Sequence, residues 1–225
     1  MTDAHAAHHA AHDEHDIDDF FTERFWDERY GSKERIWSGN PNPHVVTTAA
    51  DLVPGTALDV GCGEGADAVW LAARGWQVTG VDVSGVALGR AAAHAAEAGE
   101  QTAARATWLR ADILTWDPAP ARFDLVSAQF MQLPDPARTD LHRRLAAAVR
   151  PGGTLLIVGH HFSDLETTIG RPHLPALMFT AEQAAAALDP ADWEIHTATP
   201  GREATDAEGR PVTVHDAVLR AVRLR

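Results

Sequence analysis

The stretch Leu58-Asp59-Val60-Gly61-Cys62-Gly63-Glu64-Gly65 constrains this chain more than any other. An apolar extended run leads into it, and Ala66 to Arg74, closed by Gly75, follows with a helical pattern. The glycines therefore occupy a tight strand-to-helix turn, where the backbone takes conformations closed to residues with a Cβ and a ligand can approach the bare main chain. Amide N–H groups at the start of the helix favour an anionic or carboxylate-bearing ligand. Beyond the helix, Gln77 to Val83 reads as a second strand ending in an acid, Asp82. The unit is β-α-β, and an acid at the tip of its second strand, roughly 20 residues past the turn, is placed to accept hydrogen bonds from ribose hydroxyls. The glycines alternate and Asp59 precedes them in the strand, which departs from the dinucleotide pattern G-x-G-x-x-G and disfavours NAD.

The run D-V-G-C-G-E-G followed by V-T-G-V-D-V-S resembles the class I S-adenosylmethionine-dependent methyltransferases. The resemblance implies S-adenosyl-L-methionine as cofactor and a small-molecule acceptor. On the matching positions, Gly61, Cys62 and Gly63 would bring main-chain atoms to the methionine end, Asp59 would fix the ammonium group, and Asp82 with Val83 would hold the ribose. It also places Asp112 against the adenine amino group and Ile113 against the ring. Upstream, Trp37, Gly39 and the prolines that follow resemble the branch containing thiopurine, thiol, halide and tellurite-detoxifying methyltransferases, which implies that Trp37 packs near cofactor and substrate.

With 225 residues, 45% of them hydrophobic, the chain suits one sizeable α/β domain. The expected fold is a Rossmann-like doubly wound seven-stranded sheet with a C-terminal antiparallel hairpin. A formal charge of -13 argues against a nucleic-acid partner, whose binding rests on clustered Lys and Arg. Cys62 is the only cysteine, so no intrachain disulfide can form. No run reaches the roughly 18 apolar residues of a membrane span, and the expected setting is cytoplasmic, as a monomer or homodimer.

Three segments are expected: a His/Ala-rich tail over 1–16, a helical cap over 17–53 and the methyltransferase domain over 54–225. His5, His8, His9, His12 and His15 could share a helix face, but so short an alanine helix is marginal alone, and the tail is read as solvated rather than metal-binding. Phe20, Phe21, Phe25, Trp26 and Tyr30 recur at helical intervals, which predicts an amphipathic helix that packs on the sheet or lies over its active edge. Phe21, Phe25 and Tyr30 are candidates for the substrate pocket.

Val45 to Leu52 reads as a short helix, Thr56 to Val60 as the first strand, and Val86 to Ala98 as a helix capped by Ser84 and ended by Gly99. Strands are expected at Ala106 to Leu109, Phe123 to Ala128 and Thr154 to Val158, with a helix from Asp135-Pro136 to Val149 and a turn at Arg150 to Gly153 between the last two. Ligands in open α/β sheets bind outside the carboxyl ends of the strands, so Gln129 is a candidate cofactor contact and Phe130 and Met131 candidate pocket residues. His160, His161 and Phe162 leave the tip of the fifth strand; the two histidines are candidate catalytic groups and Phe162 a pocket residue. The irregular segment after Asp164, with Arg171-Pro172-His173, is a substrate-facing loop candidate. Thr180 opens a helix to Leu188 as a capping box, and Asp192 to Thr199 and Thr213 to Leu224 form two strands joined by a polar turn from Gly201 to Pro211.

Methyl transfer from a sulfonium needs alignment more than acid-base help, and orientation can supply roughly 7 to 11 kcal/mol. A rim of Trp37, Phe130, Met131 and Phe162 with two histidines as bases favours an easily ionised acceptor, and a thiol is expected first. O- or N-methylation of a natural product is the alternative, and a binding protein that uses the histidine tail is the alternative outside enzymes.

Overall fold

A computed structural model of the chain describes residues 21–169 and 174–225. The histidine tail, residues 17–20 and the Arg171-Pro172-His173 motif lie outside the described residues. Two helices come first, α1 (Glu23–Gly31) and α2 (Pro43–Ala50). The glycine turn then joins β1 (Thr56–Val60) to α3 (Ala66–Ala73), which leads to β2 (Gln77–Asp82). α4 (Gly85–Glu97), α5 (Glu100–Arg105) and β3 (Ala106–Arg110) follow, then β4 (Phe123–Gln129), α6 (Ala137–Ala148) and β5 (Val149–His160). Two 3-10 turns, α7 (Ala181–Ala185) and strands β6 (Trp193–Ala198), β7 (Gly201–Thr205) and β8 (Pro211–Arg223) complete the chain.

The strand order is β3-β2-β1-β4-β5-β8-β6, with β7 paired only to β8. Pairs among β1 to β5 are parallel, and β8 runs antiparallel to β5, β6 and β7. Parallel strands covered by helices on both faces must be apolar throughout, and Leu155 to Val158 are all buried. Two core clusters result. One, on the α2 and α3 side, holds Val45, Leu71, Trp76, Leu125, Leu156 and Val158, while the other joins Leu58, Val126, Leu141, Leu155, Ile157 and Leu219. Order reverses between β1 and β4, so the switch point lies beside the glycine turn.

Local signals account for most of the element boundaries. Ser84 Oγ accepts from Ala87 N–H, and Thr180 with Gln183 forms the reciprocal capping box. Six expectations need correction. The aromatic helix begins at Glu23, where the Thr22 hydroxyl caps it. α5 occupies six residues that read as a link, because Gly99 ends one helix and immediately starts another. α6 begins at Ala137 with Pro136 at the cap position, rather than with Asp135 as cap and Pro136 in the first turn; the Asp135 carboxylate accepts from Arg138 and from the Thr139 hydroxyl. β5 already starts at Val149, with an irregular register against β4 and a left-handed Gly152 within the expected turn. The polar turn after β6 contains β7, whose residues pair with Pro211 to His215, and α7 ends at Ala185 rather than Leu188.

Candidate active site

The turn after β1 is built from three left-handed glycines, Gly61 (φ 69°), Gly63 (φ 52°) and Gly65 (φ 83°). Gly61 and Cys62 N–H both donate to Val81 O, at 2.8 and 3.0 Å, which ties the turn to the end of β2. A Cβ on Gly61 would overlap Met131 Sδ, and one on Gly63 would stand 2.7 Å from the Tyr30 hydroxyl. The main chain is bare where these side chains approach it, and only glycine allows that.

Acids surround the turn. Asp82 is buried at the tip of β2; its Oδ2 accepts from Gly63 N–H at 2.8 Å and its Oδ1 from Ser84 N–H at 2.9 Å. Asp59 is 2% exposed, and its Oδ2 has no hydrogen-bond partner. Burial pushes the Asp59 carboxyl well above the usual carboxylate range, and the nearby Asp67 and Asp82 charges push the same way. Asp67, in the first turn of α3, is pushed up to about 6 by burial although it accepts from Asn42 N–H. Burial also raises Asp82 and, strongly, the Cys62 thiol, which therefore stays protonated and unreactive.

α1 and the loop after it are fastened over this turn. Asp27 Oδ1 accepts from Ser84 Oγ–H at 2.6 Å and from Val86 N–H at 3.2 Å, and Glu23 pairs with Arg110. Tyr30 is buried, and its hydroxyl accepts from Trp37 Nε1–H at 3.0 Å. Burial holds the Tyr30 phenol protonated, well above its ordinary range. Glu64 does what no motif announced: Oε2 accepts from the Ile36 and Trp37 amides, both at 3.2 Å, while Oε1 takes Arg90 at 2.8 Å. Burial works against its ionisation, but the hydrogen bonds from Arg90, Trp37 and Ile36 outweigh it and hold Glu64 below its usual range.

The remaining candidates fall at the carboxyl edge or beside it. Val83 is half-buried next to Asp82, Ile113 is buried, and Asp112 is exposed with Oδ1 accepting from Leu114 N–H. Gln129 ends β4, with Nε2–H donating to Ser127 Oγ at 2.8 Å and a buried Oε1 without a partner. Phe130 takes a left-handed backbone (φ 55°), unusual for an aromatic residue, and its ring lies 4.6 Å from that of His160. Strain of this kind gathers at functional sites. His161 is engaged differently, its Nδ1 accepting from Ser163 N–H as the cap of a 3-10 turn, with Phe162 beside it. Phe21 packs on the second core cluster and Phe25 edge-on against Trp26, so these two sit apart from Phe130, whereas Tyr30 lies on the glycine turn.

The strand order and the glycine turn define a Rossmann-like α/β fold of the kind found in methyltransferases. Residues 57–153 match the family described as a methyltransferase domain. Over 141 residues the chain is 30% identical to a 2-heptyl-1-hydroxyquinolin-4(1H)-one methyltransferase of Mycobacteroides abscessus, covering 61% of each chain. It is 34% identical over 148 residues to a ubiquinone biosynthesis O-methyltransferase of Serratia proteamaculans, covering 63% of this chain and 58% of that one. The chain thus spans about three-fifths of the length of these curated relatives. A solved structure described as "Conversion of a Disulfide Bond into a Thioacetal Group during Echinomycin Biosynthesis" superposes with a TM-score of 0.70 at 25% identity, over 89% of this chain and 92% of the other.

The cofactor of such a domain is S-adenosyl-L-methionine, and the residues fit it. A cationic ammonium group would answer the buried, unpartnered Asp59 oxygen.

Proposed function

We propose that the chain is an S-adenosylmethionine-dependent methyltransferase acting on a small molecule, with a hydroxyl oxygen as the methyl acceptor. The reading is carried by one arrangement: a glycine turn held between Asp59 and Asp82 at the switch point of the sheet. Bound there, the cofactor supplies an electrophilic methyl group on a sulfonium. Gly61 to Gly63 and Asp59 would hold its amino-acid end, Asp82 its ribose, and Asp112 and Ile113 its adenine. Tyr30 packs on the turn and is bonded to Trp37, and Phe130 and Met131 would line the side from which the acceptor approaches.

Support for oxygen comes from the two relatives, one named for a hydroxyquinolone and one for O-methylation. A thiol acceptor, expected from the sequence, is the second reading; the Trp37 loop and the likeness to the thioacetal-forming structure favour it. The net charge of -13 supports a small acceptor over a phosphate-rich one. Transfer of labelled methyl groups to a panel of small phenols, N-hydroxyquinolones, thiols and amines tests the proposal. Methylation of hydroxyl probes is the expected result; transfer only to thiols installs the second reading, and transfer only to amines overturns both.

A further inference from the structure

One face of the sheet carries a row of polar side chains along its carboxyl edge. Register aligns Asp59 with Ser127 across β1 and β4, Gln129 with Val158 across β4 and β5, and His160 with Asp216 across β5 and β8. Paired residues share a face, as do alternate residues of one strand. Asp59, Ser127, Gln129, His160 and Asp216 therefore lie on one side, the side on which Leu156 and Val158 pack with Val45 of α2. Among the described residues, three buried oxygens of this row have no hydrogen-bond partner: Asp59 Oδ2, Gln129 Oε1 and Asp216 Oδ1. Such atoms are uncommon in native interiors, and each calls for an explanation. The proposed function gives the first a cofactor contact, and the second is a candidate for one. Asp216, which stands two strands beyond Gln129, is not.

His44, the second residue of α2, meets Asp216 from above. Its Nε2–H donates to Asp216 Oδ2 at 3.3 Å, and Arg202 Nε–H donates to the same oxygen at 3.0 Å. Burial opposes ionisation of Asp216, yet the hydrogen bonds from His44 and Arg202 hold it below the usual carboxylate range. Asp216 is thus a carboxylate, and it fixes the His44 tautomer with the proton on Nε2 and the lone pair on Nδ1. His160 on β5, opposite Asp216, and Arg202 on β7 are the titratable or charged groups beside the pair; Asp67 is tied to the same end of α2 through Asn42 N–H.

We propose that His44 takes the proton of the methyl acceptor, with Asp216 as the positioning residue that keeps Nδ1 free to receive it; the proposal rests on the methyltransferase reading above. A lone pair of the acceptor oxygen forms the bond to the methyl carbon, and the methyl–sulfur bond breaks with its pair left on sulfur. The O–H bond breaks with its pair left on oxygen, and the proton passes to His44 Nδ1. The imidazolium is balanced by Asp216 until it releases the proton to water. Such a base matters for a phenol-type hydroxyl with a pKa near 10 and hardly at all for a thiol near 8.5. The pair therefore selects weakly acidic hydroxyls as the substrate class.

His44→Gln and Asp216→Asn test this in the full chain. The glutamine amide can still donate to Asp216, so the first variant keeps the tether and loses only the base. With catechol, 2-heptyl-1-hydroxyquinolin-4(1H)-one and thiophenol as probes, both variants should lose about 100-fold in kcat on catechol, the usual scale for a general base, while KM and the affinity for S-adenosylhomocysteine stay within threefold. The acid limb of the parent's pH–rate profile should vanish in His44→Gln and persist in His160→Gln, and nitrogen NMR should show the proton of His44 on Nε2 in the parent. Parent-like turnover in both variants, an equal fall of product affinity and turnover, a proton on Nδ1, or no methylation of any probe by the parent overturns the proposal. Failure of the parent to bind S-adenosylhomocysteine overturns instead the methyltransferase reading beneath it.

Discussion

Asp82 accepts from the Gly63 and Ser84 amides, and the proposed function gives it the cofactor ribose as well, two jobs that a single substitution separates poorly. Asp82→Ala should weaken S-adenosylhomocysteine binding by about 1 to 3 kcal/mol, the usual range for a charge-assisted hydrogen bond, and calorimetry reads it directly. The acids around the turn make a second prediction. Asp67 lies near 6 and Asp59 well above its ordinary range, both chiefly through burial, so part of their population is protonated at mildly acid pH. An ammonium group bound beside them favours the carboxylates, and binding near pH 6 should release protons. Calorimetry in buffers of different ionisation enthalpy would show that release; buffer-independent heats would contradict it. The glycine turn and the acid at the tip of β2 were legible in the sequence because they follow from local spacing, whereas the roles expected of Asp59, Gly61 and Gly63 came from the resemblance. His44 and Asp216 were not legible, being 172 positions apart and joined only by strand order.

α6 and α1 show how elements carry costs and contacts. His142 of α6 is buried edge-on against Phe179, and burial, with the Arg138 charge, pulls it down to about 4. An unfolded histidine titrates near 6.5, so between those values the unfolded chain binds more protons and stability rises with pH. The contribution is complete above about 6.5 and lost as pH falls through 4, amounting to about 3 kcal/mol for a shift of this size. Replacement by glutamine should flatten the pH dependence of the melting temperature between 4 and 6.5. α1 is held by Asp27 on the start of α4, and Asp27→Ala should raise the Kd of S-adenosylhomocysteine about fivefold, the equivalent of one ordinary hydrogen bond of about 1 kcal/mol, without lowering the melting temperature of the sheet. Equal loss of both would show that α1 is part of the core. The helices and strands with caps or apolar runs were readable in advance. α5 and β7 were not, because six residues after Gly99, four of them polar, and a Gly-containing polar stretch carry the signature of links, and only their partners decide otherwise.

As a single α/β sheet with its switch point beside a glycine turn, the chain concentrates its chemistry at one edge. The doubly wound sheet with its antiparallel end was implied by the resemblance, and the strand order is what brings β1, β2, β4, β5 and β8 to that edge together. No helix among the described residues is long and apolar enough to cross a membrane. The proposed acceptor chemistry rests on the proposal that the turn and the two acids on either side of it hold the cofactor first. Titration of the purified chain with S-adenosylhomocysteine tests this most directly: saturable one-to-one binding, weakened in Asp82→Ala, is the predicted result, and the absence of binding by the correctly folded parent would contradict it.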